Sequence, residues 1–167
     1  MELDELGEML EQWRRVRPET DVDAMALVPR IMRLAYLLDQ KLQAINASFG
    51  LERGWLDVLS ALRRTGPPHR SPATQLARSV LLSSGGMTAR LDRMEAAGLV
   101  RRLADPNDRR GVLVGLTPKG QTTIDRAIDA HTASYGELVN TPTPNEHERI
   151  AEWLRRQLLR LEHQRDA

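Results

Sequence analysis

Residues 83–120, "SSGGMTARLDRMEAAGLVRRLADPNDRRGVLVGLTPKG", limit the fold more than any other stretch of this chain. Met87, Leu91 and Met94 recur at helical spacing, with Ser84 placed to cap the helix and Gly98 to end it. Two short apolar runs follow, "LVRRL" and "GVLVGL". Between them lie Asp105, Pro106, Asn107 and Asp108, all turn-forming types, so the pair reads as a β-hairpin. A further helix then starts at Thr117-Pro118, where a capping hydroxyl precedes a proline at the first helical position.

Upstream, Ser71-Pro72 repeats that start signal and predicts a short helix over 72–79. A turn through Leu81 and Leu82 leads to the second helix over 84–97. Helix, turn, helix and hairpin in this order make a winged helix-turn-helix. In that design the second helix enters the major groove of DNA, and the wing reaches the backbone or the neighbouring minor groove.

The polar residues suit this reading. Gly85 and Gly86 leave the start of the second helix bare, so that backbone N–H groups can approach a phosphate. Thr88 and Arg93 project away from the apolar stripe and, with Ser84, are placed to work base edges or phosphates. Arg109 and Arg110 put two permanent charges on the hairpin tip, suited to a narrow minor groove, with Asp108 placed to hold Arg110. Residues 70–119 hold nine Lys and Arg against four Asp and Glu, although the whole chain of 167 residues carries only +1. A basic centre between acidic flanks suits a polyanion. The competing reading is a small α-rich domain with a solvated basic hairpin.

The rest of the chain reads as helices. Leu3, Leu6, Leu10 and Trp13 mark one over 2–17, with acids at its start and arginines at its end. A longer one spans about Asp21–Ser48 with Leu27, Ile31, Leu34, Leu38, Leu42 and Ile45 as its stripe; Pro29 either kinks it or begins its regular part. Residues 52–64 form another, with Trp55, Leu59 and Leu62 toward the core. After the helix from 118 to about 139, Thr143-Pro144 with Glu146 makes a capping box for a last helix to about Glu162. Its stripe of Ile150, Trp153, Leu154, Leu158 and Leu161, like that of 27–45, suits either a dimer interface or a monomer core.

Other classes find little support. The chain has no cysteine, which excludes disulfides, thiolate nucleophiles and Cys-zinc sites. His69, His131, His147 and His163 are scattered without ligand spacing and read as solvated or dimer-contact residues. No nucleophile elbow or P-loop occurs, so no catalytic residue, metal or cofactor is expected and the chain is read as a non-enzyme. "MELDELGEML" lacks a signal-peptide core and no apolar run reaches membrane-spanning length, so a soluble cytoplasmic protein without membrane contact is expected.

The stretch 83–120, with "LDVLSALRR" before it, resembles the MarR family of bacterial transcription regulators. The wing's Asp108-x-Arg110 followed by "LTPKG" carries the resemblance most specifically, and it extends over about residues 22–162. It implies a mainly α protein with a small β-hairpin wing and N- and C-terminal dimerisation helices. The expected regions are 1–17, an extra helix packing on the core; 18–50 and 118–167, dimerisation; and 51–117, the DNA-binding winged helix. The implied partners are double-stranded DNA, a second copy and a small effector. The implied function is repression at a pseudo-palindromic operator, relieved by that effector. Lack of cysteine sets the chain apart from peroxide-sensing members.

The extra N-terminal helix with Trp13 is similar to the urate-responsive branch of that family. That similarity implies a ligand site of Trp13, Asp57, Arg90 and Arg102 for an aromatic anion such as urate. Arg90 has separate support, because it lies about 60° around the helix from Met87 and so aims toward an internal cleft rather than DNA. An Asp57–Arg90 ion pair is expected to be the switch that an anion breaks. Trp13 as a mere anchor, phenolic acids or xanthine as effectors, and a winged-helix module that binds only protein are the alternatives.

Overall fold

The computed structural model describes residues 4–80, 83–106, 108–140 and 143–166. They form two compact units, residues 1–131 and 132–167. The elements are α1 (Glu5–Val16), α2 (Ala24–Ser48), α3 (Trp55–Arg64), β1 (Arg70–Pro72), α4 (Ala73–Ser79), α5 (Ser84–Ala96), β2 (Val100–Asp105), β3 (Asp108–Leu116), α6 (Pro118–Leu138) and α7 (Pro144–Asp166).

In the first unit, α1 begins where the Asp4 carboxylate accepts the Gly7 N–H at 2.7 Å. It lies along α2: Arg30 donates to both oxygens of Asp4, at 2.9 and 2.8 Å, and Leu10 is buried. The Arg30 hydrogen bonds hold the Asp4 carboxyl below its ordinary pKa. Pro29 falls inside α2, whose helical residues begin five positions earlier. Of the two roles open to it, starting the helix is therefore excluded. As the sixth helical residue, Pro29 forfeits one ladder bond, the one an N–H there would give to the Met25 carbonyl. Gly50, at φ +68°, follows the helix end.

Two expected helix starts are corrected. Ser83, not Ser84, caps α5: its Oγ accepts the Gly86 N–H at 3.2 Å. Pro72 is the N-cap of α4 rather than its first helical residue, and Ser71 lies in β1. Ser71 pairs with Val114, Arg70 with Gly115 and Pro72 with Leu113, so the wing is a three-stranded antiparallel sheet in the order β1-β3-β2 rather than a bare hairpin. A proline is tolerated there because β1 is an edge strand.

The core of this unit lies where α3, α4, α5 and the sheet meet. Val58, Leu59 and Met94 are fully shielded, as are Val114 of β3 and Ile124 of α6. Met87 and Leu91 are also buried, as their helical spacing predicts. Thr117 joins three parts: its hydroxyl donates to the Gly98 carbonyl at 2.6 Å and accepts the Gly120 N–H at 2.9 Å. His69 and His131 are buried, which corrects the expectation of solvated or dimer-contact histidines. His131 Nε2 lies 2.8 Å from Asn46 Oδ1, and burial pushes its pKa down.

In the second unit, α7 opens on half of the expected capping box, with the Glu146 carboxylate on the Thr143 hydroxyl rather than on its backbone N–H. The Glu146 N–H donates to Thr143 Oγ1 at 3.2 Å, and that hydroxyl donates to the Glu146 carboxylate at 2.8 Å. Ile150, Leu154, Leu158 and Leu161 are exposed along α7. In the first unit, Leu27, Ile31 and Leu34 are exposed along α2.

Candidate nucleic-acid interface and effector cleft

The helix pair is α4 and α5; the expected turn residues Leu81 and Leu82 lie outside the described residues. Gly85 is exposed, with open space where a Cβ would stand. Gly86 gives its N–H to Ser83. At Gly85 and Gly86 the first turn of α5 carries no side chain, which suits close approach by an anion at those two positions. Ser84 lies at the first position of α5, but its side chain lies outside the described residues. Thr88 is exposed, as expected. Arg93 is exposed too, but its Nε donates to Glu52 at 3.1 Å, so a phosphate would have to draw it from that carboxylate.

The wing pairs Val100 with Leu116 at its base and Asp105 with Asp108 at its tip. Asp108 is exposed, with its carboxylate beside Gly111. Arg109 and Arg110 fall in β3; their side chains, like Asn107, lie outside the described residues, and so does any hold of Asp108 on Arg110.

The expected ligand residues do not all meet. Arg90 turns inward from α5 as its helical angle implies, and its Nη1 donates to the Gly54 carbonyl at 3.1 Å. Gly54, at φ +78°, is the N-cap of α3, the helix that carries Asp57 in its first turn. A Cβ on Gly54 would stand 2.3 Å from Arg90 Nη1, so only glycine leaves room for this guanidinium. Asp57 is exposed and forms no ion pair with Arg90, which corrects the expected switch: the Gly54 carbonyl holds the arginine instead. Trp13 is 39% exposed near the end of α1.

Arg102 lies elsewhere. Its guanidinium reaches Asp92 at 2.7 Å and Glu95 at 2.8 Å, and its backbone N–H donates to the other Glu95 oxygen at 2.8 Å. Asp92 and Glu95 leave α5 roughly 140–160° around the axis from Arg90. The two arginines thus flank opposite sides of one helix, which corrects their expected convergence on a single cleft. Partial burial opposes the charge on Arg102, and the hydrogen bonds of Asp92 and Glu95 outweigh it, so its pKa is raised.

A separate groove of about 420 Å³ between α3 and α6 is lined by Ser60, Ile124 and Ile128, among others, and is bridged by Arg63 and Asp125 at 2.7 Å. Trp13, Asp57, Arg90 and Arg102 are not in its lining. The sequence reading missed Glu52, Gly54, Asp92 and Glu95. The one available signal was the spacing of Asp92 and Glu95, which puts both carboxylates on one helical face.

A helix pair whose second helix carries two glycines in its first turn, followed directly by a basic hairpin, defines a winged helix-turn-helix regulator. The MarR family model matches residues 49–111, from the end of α2 into the wing. The HTH-type transcriptional regulator PecS of Dickeya dadantii is 31% identical over 136 residues, covering 81% of this chain and 82% of PecS. The crystal structure of AbsC, a MarR family transcriptional regulator from Streptomyces coelicolor, superposes with a TM-score of 0.76 at 26% identity, covering 86% of this chain and 97% of that one. A cysteine-to-serine mutant of MarR from E. coli, solved with operator DNA, shares the fold at a TM-score of 0.70 and 24% identity, over 87% of this chain and 97% of that one. The chain belongs to the MarR family: it is a DNA-binding transcriptional regulator and not an enzyme. Among the described residues no helix is long and apolar enough to cross a membrane.

Proposed function

We propose that this regulator is a homodimeric repressor of a pseudo-palindromic operator, released by a small aromatic anion such as urate. The observation that carries the DNA reading is the glycine pair in the first turn of α5 beside a wing that bears Arg109 and Arg110. Residues 51–117 read DNA: Ser84, Thr88 and Arg93 at the major groove or its phosphates, Arg109 and Arg110 at the wing, with Asp108 orienting Arg110. Residues 18–50 and 118–167 dimerise. The apolar side chains exposed along α2, and those exposed along α7, support this, because each set stays wet in a lone chain. Residues 1–17 add the helix that brings Trp13.

For the effector, Arg90 is the anion-binding group, and Asp57 and Trp13 belong with it to the expected ligand set. A planar anion takes the guanidinium from the Gly54 carbonyl, and α5 moves with it. Arg102 belongs to the expected ligand set, but its two carboxylate partners leave it no vacancy for an anion in this state. Titration of urate into the protein by calorimetry, with Arg90→Ala and Trp13→Phe as controls, tests the reading. Binding by the wild type that both variants weaken supports it; binding unchanged in Arg90→Ala overturns the site. Absence of urate binding discards urate and leaves other aromatic anions, phenolic acids among them, to be titrated the same way.

A further inference from the structure

Arg102 makes more bonds to the recognition helix than any contact within a hairpin requires. Its guanidinium holds Asp92 and Glu95, its Nη2 also lies 3.3 Å from the Thr88 carbonyl, and its backbone N–H is held by Glu95. Positions 88, 92 and 95 follow one stripe of α5. Across the sheet Arg102 pairs with the fully buried Val114, so it stands on a strand fixed by the core. Its side chain is 29% exposed, against 55% for Arg93.

These carboxylates have the wrong sign for a helix that meets a polyanion. Their geometry gives them another use: a guanidinium fork bonded to two carboxylates fixes direction as well as charge. We propose that Arg102, with Asp92 and Glu95, is a positioning latch that ties the first wing strand to α5 and sets the pose of that helix on DNA. The inference rests on the DNA-binding role and assigns Arg102 to that role rather than to a phosphate or an effector.

The electrostatic sign separates the two accounts. If Asp92 and Glu95 were merely surface acids, removing them would strengthen binding to any duplex. If they form the latch, removing them weakens the specific complex while strengthening the non-specific one. The probes are a duplex selected by the wild-type protein from a randomised pool and a scrambled duplex of equal length, both read by fluorescence anisotropy from 50 to 200 mM salt.

The double variant D92N/E95Q and Arg102→Ala each lose roughly tenfold on the selected duplex, about the scale of one lost base-pair contact. Arg102→Ala keeps the wild-type salt slope, and adding it to D92N/E95Q costs little more. Arg102→Lys restores only part of the loss. Wild-type or tighter binding of the selected duplex by D92N/E95Q overturns the latch. So does a salt slope reduced by about one in Arg102→Ala, the mark of a lost phosphate contact. If Arg102→Ala does not fold, the near-isosteric D92N/E95Q still decides.

Hydrogen exchange of the α5 amides, read without DNA, keeps the latch separate from the DNA reading. Should no duplex be selected, DNA binding fails alone. Faster exchange over 84–96 in D92N/E95Q then supports the latch, and unchanged exchange overturns it.

Discussion

Two glycines show how closely single residues set the site. A Cβ on Gly120 would stand 1.9 Å from the Leu99 carbonyl oxygen, which is backbone and cannot step aside. Gly120→Ala is expected to cost about 3 kcal/mol in urea unfolding, at the upper end for overpacking; a change below about 1 kcal/mol would mean the α6 start gives way easily. Gly54 is different, because its neighbour is the flexible end of Arg90. Gly54→Ala is expected to cost about 1 kcal/mol for its positive φ and to expel the guanidinium. An anion then no longer competes with the Gly54 carbonyl for Arg90, so effector affinity is expected to rise while stability falls, which calorimetry and thermal melts read side by side. His131 adds a pH term. Burial holds its pKa below the ordinary 6.5, so the unfolded chain takes up the proton first. Stability is then level above about pH 6.5 and falls below it, by at most about 1.4 kcal/mol per pH unit. His131→Gln removes that slope in a series of melts from pH 7 to 5; an unchanged slope would place the titrating group elsewhere.

At the scale of elements, the wing and α5 act together. Arg110→Ala is expected to weaken the selected duplex by roughly tenfold while melting temperature and oligomeric state hold. Loss of the dimer instead would make Arg110 a structural residue. Most elements were legible because their signals are local. The stripe Met87-Leu91-Met94, the stops at Gly50 and Gly98, and the Thr-Pro starts at 117 and 143 each act within a few residues. The angle of Arg90 was legible for the same reason. Strand β1 was not, because three residues carry no period and its bonds come from β3, more than forty positions on. The Ser-Pro pair at 71–72 reads identically to a helix start, and only sheet pairing decides otherwise. The partners of Arg93 and Arg102 were hidden because Glu52 meets α5 from 41 residues away and β2 reaches back across Gly98.

For the whole molecule, the central claim is that charge and apolar surface are divided by task. In the proposed function the basic middle of the sequence meets DNA, and the apolar side chains exposed on α2 and on α7 are the faces assigned to a second copy. Sedimentation equilibrium is expected to return twice the chain mass; a monomer at micromolar concentration would leave those faces unexplained. The most direct test is the salt dependence of binding to the duplex selected by the wild-type protein. The account predicts saturable binding by two copies per duplex that weakens steeply between 50 and 200 mM salt as released counterions oppose it. Selection that enriches no duplex, or an affinity indifferent to salt, would contradict it.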